Sequence, residues 1–118
     1  MQRLFFLFLI GWMTLQGPGW LGITVQDLTP QMAMRLGVPS KEGVLVTGVQ
    51  FGSPAKKGGL EQGDVILSLN GEKIPNSEAL RKEILQIRPG TPIQLTIIRN
   101  RSAKKIEIAV GTLPREAA

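Results

Sequence analysis

The stretch GSPAKKGGLEQGDVILSLNGEKI, residues 52–74, contains most of the signals that decide the fold. Ser53 can cap a helical turn and Pro54 can begin it, while the two glycines that follow can end it. The apolar residues at 65–69 predict a strand, and the Asn-Gly pair at 70–71 is the strongest short-range signal for a β-hairpin. This stretch therefore predicts a short helix, a strand and a tight turn, in that order.

Three further elements are predicted upstream of this stretch. Residues 21–28, LGITVQDL, alternate apolar and polar side chains with the period of a half-buried strand. Thr29 and Pro30 then predict the N-cap and the first residue of a short helix that ends at Gly37. The apolar run at 43–49 predicts a second strand.

Downstream of the hairpin signal, the sequence predicts a longer helix from Ser77 to Ile87, with Asn76 or Ser77 as its cap. Leu80, Ile84 and Ile87 are spaced by four and three residues, so they form one apolar stripe along that helix. A Pro-Gly pair ends the helix, and two alternating segments joined by a polar turn predict the last two strands.

The number and order of these elements predict an α+β fold. We expect a small, partly open β-barrel or sandwich of about five to six strands with two main α-helices. A chain of 118 residues has room for one such domain. Residues 19–112 are predicted to form it, and residues 113–118 are predicted to be a flexible C-terminal tail.

The composition excludes several kinds of chemistry. The chain has no Cys and no His, so a Ser-His-Asp triad cannot be assembled and the commonest metal ligand is missing. We therefore expect no catalytic residue, no metal and no cofactor, and we predict that the chain is not an enzyme. The net charge is +5, but no aromatic residue is interleaved with the basic run at 99–105. That run is typical of a solvated hairpin turn, and we expect no nucleic-acid partner.

Residues 1–18 predict a hydrophobic leader. Arg3 precedes an uncharged run at 4–15, which is shorter than the roughly 20 residues of a membrane-spanning helix and is typical of a secretory signal. The residues after it lack an Ala-x-Ala cleavage pattern, so a short membrane anchor, associating through residues 4–15, stays open. A false gene start, a truncation, or an apolar arm packed on the domain would also account for this run. The leader predicts a domain exported across, or anchored in, the inner membrane, in the periplasm or extracytoplasmic space.

The order of elements resembles a PDZ domain, of the kind found in bacterial HtrA-type envelope serine proteases. The resemblance covers almost all of residues 19–110 and contains no protease domain. No Gly-x-Ser-x-Gly or Gly-Asn-Ser-Gly motif surrounds any serine. The resemblance to the PDZ family rests on a set of residues at the family's spacings: Ser53, Pro54, Ala55, Gly59, Leu60, Gly63, Asp64, Ile66, Asn70 and Gly71.

This resemblance implies a peptide-binding groove with two walls. A loop before the first strand, here called the carboxylate loop, presents backbone N–H groups to the terminal carboxylate of a peptide; it consists of Trp20, Leu21, Gly22 and Ile23. The peptide adds as an extra strand beside Ile23, Thr24, Val25 and Gln26. The opposite wall is the long helix, with Ser77, Leu80, Arg81, Ile84 and Leu85.

Two helix positions bear on ligand preference. Ser77 stands where a subset of PDZ domains has His, so a preference for Ser or Thr two residues before the ligand's end is not implied. Arg81 either attracts an acidic ligand side chain or lays its apolar stem over the surface with its head in water.

The predicted function is a peptide-binding module that captures apolar C-terminal tails or extended segments of envelope proteins by β-strand addition. It would act as an adaptor or sensor for an envelope protease in trans, in protein quality control. A first alternative is the detached C-terminal regulatory part of an HtrA-type serine protease. A second is a membrane-tethered scaffold of a secretion or organelle assembly.

Overall fold

The computed structural model describes residues 18–39 and 42–114. Apart from Pro18, the predicted leader lies outside the described residues, and so does the predicted tail beyond Pro114. No helix within these two ranges is long and apolar enough to cross a membrane. In chain order the elements are β1 (Gly19–Trp20), β2 (Ile23–Asp27), α1 (Pro30–Leu36), β3 (Val44–Val49), α2 (Pro54–Lys57), β4 (Val65–Leu69), β5 (Glu72–Lys73), α3 (Ser77–Gln86), β6 (Pro92–Arg99), β7 (Ser102–Ala109) and β8 (Gly111–Thr112).

Six of the strands form one antiparallel sheet with the order β2-β3-β4-β6-β7, in which β5 pairs with β4. A separate small sheet consists of β1 and β8. The larger sheet is open, and β2 and β7 are its edges. The predicted α+β class, with a partly open sheet and two main helices, is confirmed; α2 is a third helix of four residues.

Each helix begins at a residue whose side chain accepts a hydrogen bond from the first turn. Thr29 Oγ1 accepts from the amide of α1 at 3.1 Å, Ser53 Oγ from that of α2 at 3.2 Å and Asn76 Oδ1 from that of α3 at 2.9 Å. Asn70 and Gly71 both have positive φ values, 51° and 85°, as the predicted tight hairpin requires. Because these signals act over three or four residues, they could be identified without tertiary information.

The two faces of the large sheet are covered by different helices. Adjacent strand residues point to opposite faces. Ile97 accordingly packs in the main core cluster with Leu80 of α3, whereas Ile98 packs in a smaller cluster with Ala33 of α1. The helix α3 therefore lies on the main core face, where it also contacts β1 and β2.

A buried ion pair holds the loop between α2 and β4 against the sheet. Asp64, 2% exposed, accepts hydrogen bonds from Arg99 Nε at 2.8 Å and Nη2 at 2.6 Å, and from the Glu61 amide at 2.8 Å. The bond to Asp64 raises the pKa of Arg99 above its usual value. Arg101 donates to the carbonyl of Arg35, at the end of α1, at 2.5 Å. These two arginines of the basic run thus make structural contacts rather than forming a free cationic surface.

Candidate functional site

A cavity of about 340 Å³ lies between the edge strand β2 and the helix α3, and we call it the groove. Its lining comes from β1, the carboxylate loop, β2, α3 and one residue that follows β8. Most of the lining side chains are apolar. The lining residues are Gly19, Trp20, Leu21, Gly22, Ile23, Val25, Ser77, Leu80, Arg81, Ile84, Leu85 and Leu113.

The carboxylate loop is held by close packing at Gly22. This residue has a φ of +81°, and a Cβ built on it would lie 2.3 Å from Ser53 Cβ and 3.0 Å from the Trp20 ring. Only glycine adopts that φ without strain and also leaves room for Ser53. The loop therefore interrupts the strand that the alternation pattern placed from Leu21: β2 begins at Ile23, and the Leu21 side chain is buried in the core at 3% exposure.

The carbonyl groups of the loop are bound on the side away from the groove. Leu21 O accepts from the Ala55 amide at 3.0 Å and Gly22 O accepts from the Gln50 amide at 2.8 Å. In a trans peptide group the C=O and the following N–H point in opposite directions. The amides of Gly22 and Ile23 therefore point away from residues 50–55, on the groove side, and two converging amides form a concavity that suits an anion.

The outer edge of β2 presents free backbone groups. The bond from the Gln50 amide to Gly22 O makes Ile23 and Val49 a non-hydrogen-bonded pair of the antiparallel ladder. The N–H and C=O of Ile23 consequently point away from β3. No strand among the described residues pairs with this edge of β2, so the edge can accept an added strand.

The side chains of β2 divide between the two sides of the strand. Ile23 and Val25 are half-buried and line the groove, whereas Thr24 and Gln26 are exposed and do not line it. Thr24 Oγ1 instead accepts a hydrogen bond from Thr47 Oγ1 of β3 at 2.9 Å. Of the four residues predicted for the peptide-binding strand, two thus line the groove with side chains, while the others belong to the same strand backbone.

The helix wall has an apolar floor and a basic rim. Leu80 and Ile84 are 3% and 7% exposed, and Leu85 is 43% exposed at the rim. Arg81 is exposed and forms no ion pair with any residue in the described ranges, whereas its neighbours Glu78 and Lys82 pair at 3.5 Å. The helix ends at Gln86, one residue earlier than expected, with Ile87 as the extended C-cap.

Contacts at both ends set the distance between β2 and α3. Near the carboxylate loop, a Cβ on Gly19 would lie 2.3 Å from Ile84 O and 2.6 Å from Ile87 O, so β1 packs directly on the end of α3. At the other end, Asp27 Oδ1 accepts a hydrogen bond from the Ser77 amide at 2.7 Å. With both ends held, the groove is preformed.

The bond to the Ser77 amide, together with the nearby Ser77 hydroxyl, lowers the pKa of the exposed Asp27 carboxyl below its usual value. The hydroxyl oxygen is itself buried and makes no hydrogen bond of standard geometry with any described residue. Among the described residues, no cluster of three acidic side chains is placed to hold a metal ion.

Two groove residues were missed by the sequence analysis. Leu113, assigned to the tail, lines the groove at 46% exposure. The sequence predicts Gly19 only as the first residue of the domain. Both reach the groove because β8 pairs with β1, with Gly19 opposite Thr112 and Trp20 opposite Gly111. Two-residue strands separated by about ninety positions carry no periodic signal that could have identified this pairing.

An open sheet edge, a glycine loop with inward-facing amides and an apolar helix wall define a domain built to bind extended peptides. The chain belongs to the PDZ domain family, whose sequence profile matches residues 19–110. The predicted family is therefore confirmed. The chain is a binding module and not the catalytic domain of a protease.

Among proteins that contain such a domain, the chain is similar to DegP-like serine endoproteases. A protein of Rhizobium meliloti (strain 1021), described as "Probable periplasmic serine endoprotease DegP-like", is 36% identical over 99 residues, covering 84% of this chain and 20% of the relative. The chain thus spans about one fifth of the length of the curated relatives it matches.

Solved structures show a similarity to HtrA-type proteins as well. The structure "HtrA-type protease AlgW with decapeptide" matches with a TM-score of 0.74 at 35% identity, over 83% of this chain and 30% of that one. The HtrA3 PDZ domain bound to a phage-derived ligand (FGRWV) matches with a TM-score of 0.68 at 25% identity, over 80% of this chain and 86% of that one.

Proposed function

We propose that this PDZ domain captures the carboxyl-terminal ends of other polypeptides that finish in an apolar residue. The observation that carries the proposal is the direction of the Gly22 and Ile23 amides, which face the groove because the preceding carbonyls are bound by Ala55 and Gln50. A terminal carboxylate placed there accepts two hydrogen bonds. It is also flanked by apolar groove walls that suit an apolar last side chain.

Ligand binding would proceed by strand addition. The peptide backbone pairs with the free edge of β2, beginning at the N–H and C=O of Ile23, and runs antiparallel to β2. Its last side chain packs against Leu21 and Ile84, which are already buried in the free protein. Since those walls are preformed, the ordering cost falls mainly on the ligand.

The related structures support this choice of ligand. The HtrA3 PDZ domain was solved with a ligand whose sequence, FGRWV, ends in valine, and the AlgW protease with a decapeptide. We infer that the groove of this chain accepts the same chemical class: an extended peptide with a free carboxylate and an apolar last residue. The exposed Arg81 adds a preference for an acidic ligand side chain near the rim.

We further propose an extracytoplasmic role as adaptor or sensor for an envelope protease that acts on exposed protein ends. The relatives described as periplasmic endoproteases and the predicted leader at 1–18 support this location. A second candidate is the regulatory part of an HtrA-type protease. It is favoured because the matched region is only about a fifth of the relative's length.

Fluorescence anisotropy of labelled peptides added to the 118-residue chain tests the binding function. Peptides of six residues ending in Val, Leu, Phe or Ala would be compared as free acids and as C-terminal amides. We expect saturable binding of the free acids, weakened at least tenfold by amidation. Equal binding of both forms would mean capture of internal segments, and no binding of either would refute a peptide-binding role.

A further inference from the structure

The strand β7 forms the second open edge of the large sheet. It pairs with β6 on one side, and no other strand in the described ranges pairs with it. Most of its residues are exposed, among them Lys104 and Lys105. These lysines belong to the same basic run as Arg99 and Arg101, but they make none of the contacts that hold those two arginines. We call residues 102–106, on the side away from β6, the basic edge.

The hydrogen bonds of β6 show which backbone groups of this edge are free. The Asn70 amide donates to Gln94 O at 2.8 Å, and the Gln94 amide donates to Asn70 Oδ1 at 2.9 Å. The N–H and C=O of Gln94 thus point away from β7, so Gln94 and Glu107 are a non-hydrogen-bonded pair of the β6–β7 ladder. Because the two kinds of pair alternate, the N–H and C=O groups of Ala103 and Lys105 also point away from β6.

The end of α2 limits the free length of β7. A Cβ on Gly58, the residue after this helix, would lie 3.1 Å from Glu107 O and 2.5 Å from Ile108 Cγ1, so this part of the strand is covered. The hairpin turn at residues 100–101 forms the limit at the other end. The outward groups of the basic edge lie between these two limits, where a short extended segment has room to pair.

The side chains of the basic edge favour a partner of opposite charge. Lys104 and Lys105 are adjacent in a strand, so they project from opposite faces of the sheet. Neither forms an ion pair with a residue that the structure describes. An added strand brings side chains beside both lysines, and cross-strand pairs of opposite charge stabilise a sheet whereas pairs of like charge destabilise it. The net charge of +5 adds a long-range attraction for an acidic segment.

A second copy of this chain matches the basic edge poorly. Antiparallel self-pairing centred within the outward groups puts Lys104 or Lys105 opposite the same residue of the other copy, or Arg101 opposite Lys105. Each of these pairs is repulsive. A register shifted further along the strand would need the Glu107 carbonyl, which Gly58 covers. The lysines therefore oppose self-association of this edge, as charged residues on edge strands generally do.

We propose that the basic edge is a second strand-addition site, separate from the groove, which takes an acidic extended segment of another polypeptide. The segment forms main-chain hydrogen bonds with Ala103 and Lys105, and its acidic side chains lie beside Lys104 and Lys105. It needs no free carboxyl terminus, because the carboxylate loop plays no part. Since β2 and β7 are opposite edges of the sheet, both sites can be occupied at once.

Hydrogen exchange of backbone amides, followed by NMR on the 118-residue chain, tests the site directly. The probe is an eight-residue peptide with blocked ends, in which Val and Thr flank an Asp-Glu pair. In the free protein the amides of Ala103 and Lys105 should exchange faster than those of Lys104 and Ile106, which bond to β6. The probe should slow exchange at Ala103 and Lys105 by about tenfold or more. Unchanged exchange at these two amides, with millimolar probe, would overturn the proposal.

Three variants distinguish strand addition from general charge attraction. Ala103→Pro removes one outward N–H and keeps both the charge and the ladder with β6, since proline is tolerated where the N–H of an edge strand faces solvent. It should weaken probe binding by about threefold to tenfold, through one lost hydrogen bond. Lys105→Glu should weaken it by about threefold or more. Lys73→Glu changes the net charge equally on β5, about 14 Å from β7 at the usual strand spacing, and should leave the affinity within about 1.5-fold.

Equal effects of Lys105→Glu and Lys73→Glu, or full binding by Ala103→Pro, would mean charge attraction without strand addition. A probe with Asn-Gln in place of Asp-Glu should bind more weakly, and equal binding would refute the preference for acidic segments. An unlabelled free-acid hexapeptide ending in Val should not displace the acidic probe. Displacement would place the probe in the groove and overturn the second site. The proposed capture of carboxyl termini is independent of these outcomes, because the free-acid and amidated peptides test it separately.

Discussion

Replacing Gly22 by alanine tests whether the carboxylate loop depends on close packing, and Gly52 provides a matched control. Both glycines have left-handed backbone angles, with φ values of 81° and 74°. A Cβ on Gly22 would lie 2.3 Å from Ser53 Cβ, whereas a Cβ on Gly52 would meet nothing within 4 Å. The two substitutions therefore share the backbone strain and differ in the steric overlap.

The expected cost of each substitution follows from these two contributions. A left-handed alanine costs about 1–2 kcal/mol, and the reduced freedom of the unfolded chain offsets about 0.4–1 kcal/mol of it. Gly52→Ala should therefore destabilise the fold by about 1 kcal/mol. Carbon atoms pack at about 3.5–4.0 Å, so Gly22→Ala displaces the loop and adds about 1–3 kcal/mol of overpacking. We expect a total of about 2–4 kcal/mol for Gly22→Ala, or a Tm lower by about 10 °C or more.

Thermal unfolding followed by circular dichroism measures the stability difference, and peptide anisotropy measures its effect on the groove. Because the displaced loop carries the Gly22 and Ile23 amides, Gly22→Ala should also weaken peptide binding by more than tenfold. Gly52→Ala should bind within about twofold of the wild type, since Gly52 does not line the groove. Equal losses of stability and affinity in the two variants would refute the role assigned to close packing.

The remaining predictions concern the Asp64–Arg99 ion pair, the contact between Asp27 and Ser77, and the groove wall. Arg99→Met leaves the buried Asp64 carboxylate without its cation and should lower the free energy of unfolding in urea by about 3–5 kcal/mol. Glu61→Gln removes only a half-exposed pair with Arg99 at 3.5 Å and should lower it by less than about 0.5 kcal/mol. Similar losses of stability in the two variants would contradict the importance assigned to the buried pair. Since the pKa of Asp27 is lowered from 3.8, its contribution to folding stability is present above pH 3.8 and is lost as the pH falls through its pKa in the folded state. The wild type should therefore lose more stability than Asp27→Ala between pH 5 and pH 2. Parallel curves of stability against pH for the two proteins would argue against a stabilising role of the Asp27 carboxylate. Leu113→Ala should weaken peptide binding by about threefold to tenfold through lost apolar contact, while Phe51→Ala, 94% exposed and outside the groove, should leave binding unchanged.

The sequence by itself determined the local elements and the family. Thr29 and Ser53 were identifiable as caps, and Asn76 as one of two candidates with Ser77, because a cap and the amide it binds lie three residues apart. The Asn-Gly pair at 70–71 was identifiable as a hairpin because its backbone angles follow from residue type. The ordered set of these signals resembled a PDZ domain, and the profile match over residues 19–110 confirms that family.

Alternation of polarity predicted one strand continuing through Leu21, but it could not reveal the loop. A period of two describes which side chains are apolar and contains no information on the φ angle of Gly22. The angle of 81° is imposed by the Ser53 side chain and by the hydrogen bonds to residues 50–55, about thirty positions away. The direction of the loop amides, on which the proposed capture of carboxyl termini depends, was therefore decided by tertiary packing.

Only the tertiary structure decided the limits of the groove. The contact of Asp27 with Ser77, and the pairing of β8 with β1 that places Leu113 in the groove, join residues fifty and more positions apart. Neither contact has a sequence period, because each depends on where α3 and β8 settle against the sheet. The sequence thus determined which elements form and in what order, while packing of the chain against itself determined how long, how wide and how open the groove between them is.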